Sequence, residues 1–149
     1  MTRRTVTGLL LLILLTIAAA SCSDDPEPRQ TVMHFLQSLR QDTTSYDYLS
    51  QLLDLDELVK ENSIYNYDSS LYAAENKVLL VSLLQEGGSV REKWLKNQII
   101  VGSVATLGDT ATVEVSFIDK ESVPVKQYYN KMGVHRIDDQ WKIFSFRLF

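Results

Sequence analysis

The chain has 149 residues, with 15 basic against 19 acidic side chains, a formal charge of −4 and 45% hydrophobic residues. That length suits one domain, and the acidic balance excludes a nucleic-acid partner, which calls for a basic face. One cysteine cannot form an internal disulfide, and with only two histidines beside it there is no zinc-type ligand cluster and no cofactor fingerprint.

The leader comes first. Arg3 and Arg4 precede an unbroken apolar run from Gly8 to Leu15, and Ala18, Ala19, Ala20 and Ser21 then lead to Cys22. A basic head, an apolar middle and small residues before a cut site make a secretion signal. A membrane-spanning helix needs about 20 apolar residues. Gly8 to Ala20 supplies 13, and Ser23, Asp24 and Asp25 stop any extension. A short uncleaved anchor and ordinary cleavage after the alanines remain open alternatives. Ala19-Ala20-Ser21-Cys22 resembles the lipobox of bacterial lipoproteins, with alanine where leucine is commonest. The resemblance implies removal of residues 1–21 and acylation of Cys22 with diacylglycerol and palmitate-like chains. It also implies lipid anchorage in the bacterial cell envelope. In the enterobacterial sorting scheme that such lipoproteins follow, Asp directly after the cysteine retains the protein at the inner membrane, so Ser23 in that place implies the outer membrane over the inner.

Without residues 1–21 the chain loses two basic and no acidic side chains, so its formal charge falls to −6. That opposes electrostatic adhesion to anionic lipid. Residues 22–29 carry two prolines and three acids after the cysteine and read as a tether, and residues 30–149 form a single α+β domain. Extended, Ser23 to Arg29 reaches roughly 23 Å.

Pro28 suits a first helical position. Val32, Phe35, Leu36 and Leu39 predict an amphipathic helix over 28–41, with His34, Gln37, Ser38 and Gln41 on its solvated face. Thr44-x-x-Asp47 has the form of a capping box for a second helix bearing Tyr48, Leu49, Leu52 and Leu53. Asp54-x-x-Glu57 restarts the chain as a short helix with Leu55, Leu58 and Val59. Ser63 to Asp68 fits a loop or a short strand. Ser69 or Ser70 can cap a helix through about Gln85. Its broad apolar set, from Leu71 and Ala74 through Val78, Leu79, Val81, Leu83 and Leu84, predicts a largely buried element. Gly87-Gly88 ends it, and Ser89-x-x-Glu92 offers a further capping box for a helix with Trp94 and Leu95.

From Gln98 the period changes to two. Ile99, Ile100, Val101 and Val104 predict a strand with a bulge at Gly102. Leu107-Gly108-Asp109 is a turn. Ala111, Val113, Val115 and Phe117 alternate with Thr110, Thr112, Glu114 and Ser116, as in a strand with one wet face. A third strand runs from Val125 to Ile137, with a bulge at Gly133, and a fourth from Trp141 to Phe149 after the Asp138-Asp139-Gln140 connection. Short loops make these an antiparallel meander. Tyr128, Met132 and Val134 share one face of the third strand. Phe144, Phe146 and Leu148 are expected to share one face of the fourth.

Two stretches carry a second resemblance. Gly108 to Val115 runs a Gly-Asp turn into alternating Thr, Ala and Val, and Arg136 to Ile143 runs an acidic turn into Trp-Lys-Ile. With helices placed first, this is similar to the nuclear-transport-factor-2-like, or cystatin-like, superfamily. The resemblance implies a curved four-stranded sheet closing around the helices as a cone, with an apolar cavity. Tyr48, Tyr128, Phe144 and Phe146 are the residues placed to line it, and the same side chains also suit a plain core. Some members are isomerases, dehydratases or cyclases with an Asp, His or Tyr inside the cone. Asp47, Tyr48, Tyr128 and His135 are the candidates here, and no pair has diagnostic spacing. The expected function is therefore a non-catalytic binding or interaction module for a small apolar ligand or another envelope protein. A small pocket enzyme of the isomerase or dehydratase kind is the alternative. The resemblance also implies dimerisation through the sheet face.

Overall fold

The computed structural model describes residues 27–62 and 73–148, and among these five helices precede four strands. The expected leader, Cys22, the stretch Ser63–Asp68 and the Ser69 or Ser70 cap lie outside the described residues. The helices are α1 (Pro28–Gln41), α2 (Tyr46–Leu52), α3 (Leu55–Glu61), α4 (Ala73–Leu84) and α5 (Ser89–Leu95). The strands are β1 (Gln98–Leu107), β2 (Thr110–Asp119), β3 (Lys126–Ile137) and β4 (Gln140–Ser145), paired antiparallel in the order β1-β2-β3-β4. The architecture is α+β, with the helices packed on one face of an open meander.

Local chemistry explains the boundaries. Pro28 opens α1, which buries Thr31, Val32, Phe35, Leu36, Ser38 and Leu39. Ser38 is thus not on the wet face that spacing assigned it: its hydroxyl donates to Phe35 O at 2.7 Å, which satisfies it inside the core. Thr44 is buried, and Ser45, one residue later, caps α2 by accepting from Tyr48 N at 3.3 Å. Asp54 caps α3 as expected, Oδ1 accepting from Glu57 N at 3.2 Å. The third expected box fails, because Gly88 is the cap of α5 and Ser89 is already helical. α4 buries Leu80, Val81 and Leu84 but leaves Val78 and Leu79 about half exposed. An apolar helix is covered only where neighbours reach it, and here they cover one side.

Two hairpins use the turn chemistry expected of them. Gly108 takes φ +59° at the first central position of the β1–β2 turn, and Asp138 and Asp139 both take positive φ in the β3–β4 turn, as a type I′ turn demands. The bulge expected at Gly102 is present, and at Gly133 the irregularity lies across from the expected strand, in β4. Gly102 and Ser103 lie within the register step between Val101 and Val104, two residues facing Glu114 alone. At the other, Gly133 pairs with Ser145 while Val134 pairs with Ile143, so Phe144 is an extra residue in β4. The extra residue resets the alternation. Trp141, Ile143 and Phe146 are buried in the core, whereas Phe144 packs on the His135 ring at 4.7 Å on the outer face. Phe144 and Phe146 therefore lie on opposite faces, not one.

The core is built from the inner residues of β2 (Ala111, Val113, Val115 and Phe117), their β3 neighbours Met132 and Val134, and the helical stripes. At its centre Phe35 stacks on Phe146 at 5.5 Å, and Trp94 meets Phe117 at 5.0 Å and Phe146 at 5.6 Å. The last strand stops at Ser145. Side chains hold the C-terminal residues beyond it. Asn130 donates to Arg147 O at 3.0 Å and accepts from Arg147 N at 3.2 Å. Asn62 donates to Phe146 O at 3.0 Å and accepts from Leu148 N at 3.1 Å. Glu61 accepts from Phe146 N at 2.8 Å. On the other edge of β4, Leu53 bridges to Ile143 and Asp54 N donates to Ile143 O at 2.8 Å.

Candidate functional site

Where α1 leaves the sheet it forms a groove with β1. Met33, Leu36, Ile99 and Val101 line its floor and walls, Gln37, Arg40 and Gln41 line its rim, and its volume is about 410 Å³. Helical spacing brings Met33, Leu36, Gln37 and Arg40 to one side of α1, next to the buried stripe. The two-residue alternation of β1 turns Ile99 and Val101 to the helix-packed face, beside Phe117 and Val115. Arg29 pins the helix to the strand, its Nη2 donating to Val101 O at 3.2 Å. The groove has two walls and a solvent mouth. Arg40 is the single charged residue among its lining groups.

A second concavity, of about 330 Å³, is polar. Tyr46 and Ser50 of α2, Asp54 and Asp56 at the start of α3, Lys77 of α4 and Lys142 of β4 line it. Its charged groups already have partners. Lys77 Nζ lies 2.7 Å from Asp56 Oδ1, and that hydrogen bond, reinforced by the charge of Asp56, holds the ammonium above the ordinary lysine range. Lys142 Nζ donates to Ser50 O at 2.9 Å, satisfying a carbonyl in the last turn of α2. Asp54 spends Oδ1 on its cap, and its Oδ2 lies 3.1 Å from His135 Nε2.

That Asp54–His135 approach is a carboxylate–imidazole pair that sequence reading missed, because 81 positions separate the two residues. Both are partly buried, and His135 Nε2 is screened from solvent without the alignment of a hydrogen bond. His135 lies on the outer sheet face under Phe144, so the pair fastens α3 to the outside of β3.

The other candidates are dispersed. Tyr48 is half-buried on α2 against the core, and Tyr128 is 43% exposed on the inner-face row of β3, opposite Phe117. Phe146 is fully buried in the aromatic stack, and Phe144 is outside the sheet. Asp47 is exposed in the first turn of α2, and His34 is exposed on α1. Among the described residues no group of three or more His, Cys, Asp or Glu is arranged to hold a metal ion, and no helix is long and apolar enough to cross a membrane. The groove residues escaped the sequence reading because Leu36, Ile99 and Val101 carry the same apolar signal as the core. Met33, one position off the α1 stripe and 47% exposed, is the residue that departs from the pattern. No family model, no curated protein and no solved structure matches the chain.

Proposed function

We propose that this chain is a lipid-anchored envelope protein that acts as a docking module, holding apolar side chains of another envelope protein in the α1–β1 groove. The leader and Cys22 supply the address, and the domain, of the cone-like kind that the hairpin motifs resemble, supplies the grip. The observation that carries the reading is the groove itself, with its apolar floor of Met33, Leu36, Ile99 and Val101 and one basic group at its rim. A site for a small molecule normally encloses most of its ligand. Two walls and a solvent mouth instead suit side chains presented on a larger surface, where the partner supplies the remaining wall. The polar cleft and the Asp54–His135 pair favour structural work over acid–base chemistry, since their groups are used in capping, carbonyl binding and pairing.

The test is a photo-reactive residue placed at Met33 in the full chain, expressed in its native envelope and irradiated. The expected product is a discrete adduct heavier by the mass of a second protein, lost on Ile99→Glu substitution. An adduct heavier by a small molecule only, or none at all, would overturn the docking reading.

A further inference from the structure

We infer that the hairpin between β2 and β3 is a second point of contact with the membrane: its tip, Val123-Pro124-Val125, enters the headgroup boundary of the lipid to which Cys22 moors the chain. This rests on the lipid anchor proposed above and not on the groove. Val123 is 97% exposed and Val125 61%, and Val123 is the most exposed large hydrophobic side chain among the described residues. The tip is held out by an ordered turn. At its base Asp119 pairs with Lys126 on the last rung of the hairpin. The Asp119 carboxylate accepts from the N–H groups of Glu121 and Ser122 at 3.0 and 3.1 Å and from Ser122 Oγ at 2.6 Å. Two valines fixed at a projecting end gain from leaving water only if a surface outside the domain takes them up.

The flanking side chains suit lipid. Lys120 and Lys126 stand on either side of the tip, and a lysine stem lies along apolar tails while its ammonium stays among the headgroups. Over residues 119–126 these two cations balance Asp119 and Glu121, so the tip carries no net charge for the membrane to repel. Tyr128 and Tyr129, 43% and 70% exposed, follow roughly 7–10 Å along β3 and project to its two faces. A tyrosine ring with a wet hydroxyl belongs at the boundary between apolar and polar layers. Reach is the remaining condition. Arg29 Nη2 on Val101 O sets the start of α1 beside Val101, whose partner in β2 is Val115. From Val115 to Asp119 the strand advances roughly 13 Å, and the loop beyond adds at most about 10 Å. Residues 23–27 span at most about 17 Å. The tether is the shorter of the two, so the sheet must incline toward the lipid for anchor and tip to share one surface.

The test uses the full acylated chain in phosphatidylcholine vesicles, carrying Val123→Trp or, as a second reporter, Val125→Trp. Each is read against the parent, whose Trp94 and Trp141 are buried in the core. Vesicle flotation reports the anchor, and quenching by phosphatidylcholine brominated in its upper acyl chains reports the tip. All three chains should float. Bromolipid should reduce the added emission at least ~2-fold while iodide fails to reach it, since an interfacial element sits about 5–10 Å into the headgroup–acyl boundary. Flotation with emission quenched by iodide and untouched by bromolipid overturns the tip contact and leaves the anchor standing. Emission shielded from both quenchers also overturns it, by assigning the tip to a protein surface. A parent chain that does not float overturns the anchor and the tip contact together.

Discussion

Two adjacent glycines show how one sequence signal can hide two different physical demands. Gly87-Gly88 marks the end of α4 by composition alone, but the residues do separate work. Gly87 takes φ +77°, where a side chain is strained, yet a Cβ there would meet nothing within 4 Å. Gly88 has an ordinary φ of −73°, but a Cβ there would collide with the carbonyl oxygens of both Ser82 and Leu83. Backbone cannot swing aside as a flexible side chain can. Gly87→Ala should therefore cost about 1–2 kcal/mol, the penalty of the left-handed region. Gly88→Ala should cost about 2–4 kcal/mol, because α4 and α5 must move apart. Urea denaturation of both variants checks the order, and a Gly88→Ala cost equal to or below that of Gly87→Ala would refute the close approach. The pair of glycines was legible as a helix stop. Which of them is sterically irreplaceable was not, because the crowding comes from carbonyls whose positions depend on the tertiary angle between two helices.

At the scale of elements, the C-terminal segment is held by side chains where a strand would use backbone. Asn130 is 3% exposed and makes both hydrogen bonds to Arg147 that a neighbouring strand residue would make. Asn130→Leu preserves size but leaves the Arg147 N–H and C=O without those partners, which should destabilise the fold by about 1–3 kcal/mol. Asn62 grips the adjoining residues, so Asn62→Ala and Asn130→Leu should couple, with an interaction energy of about 0.5 kcal/mol or more in a double-mutant cycle. Simple additivity would show that the two asparagines do not hold one segment. None of this was legible beforehand. Alternation carried a strand to Phe149 and set Phe144 beside Phe146, and one inserted residue opposite Gly133 reversed that parity. A bulge leaves no trace in hydrophobic period except the glycine that permits it, so Gly133 could be flagged while its consequence for Phe144 could not. The β2–β3 connection offers a pH test at the same scale. Asp119 accepts from Ser122 Oγ at 2.6 Å and from the backbone N–H groups of Ser122 and Glu121, and the Ser122 hydroxyl leads in holding its carboxyl below the ordinary aspartate range. A folded-state pKa below the unfolded value contributes stability that is complete above the unfolded pKa and disappears as pH falls through the folded one. The gap in urea midpoint between the parent and Asp119→Asn should be widest near neutrality and close as the pH drops below the ordinary carboxylate range. A gap independent of pH would mean that Asp119 acts by shape rather than charge.

For the whole molecule, the turns, the helix-then-sheet order and the inner face of β2 were legible because each rests on local chemistry: Gly108 at a two-residue turn, Asp138-Asp139 at another, and period-two burial of Ala111 to Phe117. The groove was not, since it exists only where α1 and β1, far apart in the chain, diverge. The proposed lipid anchor connects the two scales. α1 begins at Pro28, so Ser23 to Glu27 can span at most about 17 Å between an acylated Cys22 and the domain, and the 14-residue helix adds about 21 Å. The groove along α1 would then stand within about 40 Å of the lipid, in reach of partners in the same membrane. Several acyl chains on one residue hold a protein far more firmly than the marginal binding of a single chain, at about 0.8 kcal/mol per buried CH₂. The Cys22→Ser full chain should therefore lose palmitate labelling and detergent-phase partitioning. Its urea midpoint should remain that of the parent, because among the described residues the hydrophobic core begins at Val32. Unchanged partitioning would remove the anchor from the proposal. A lowered midpoint with normal partitioning would instead assign Cys22 a place in the fold.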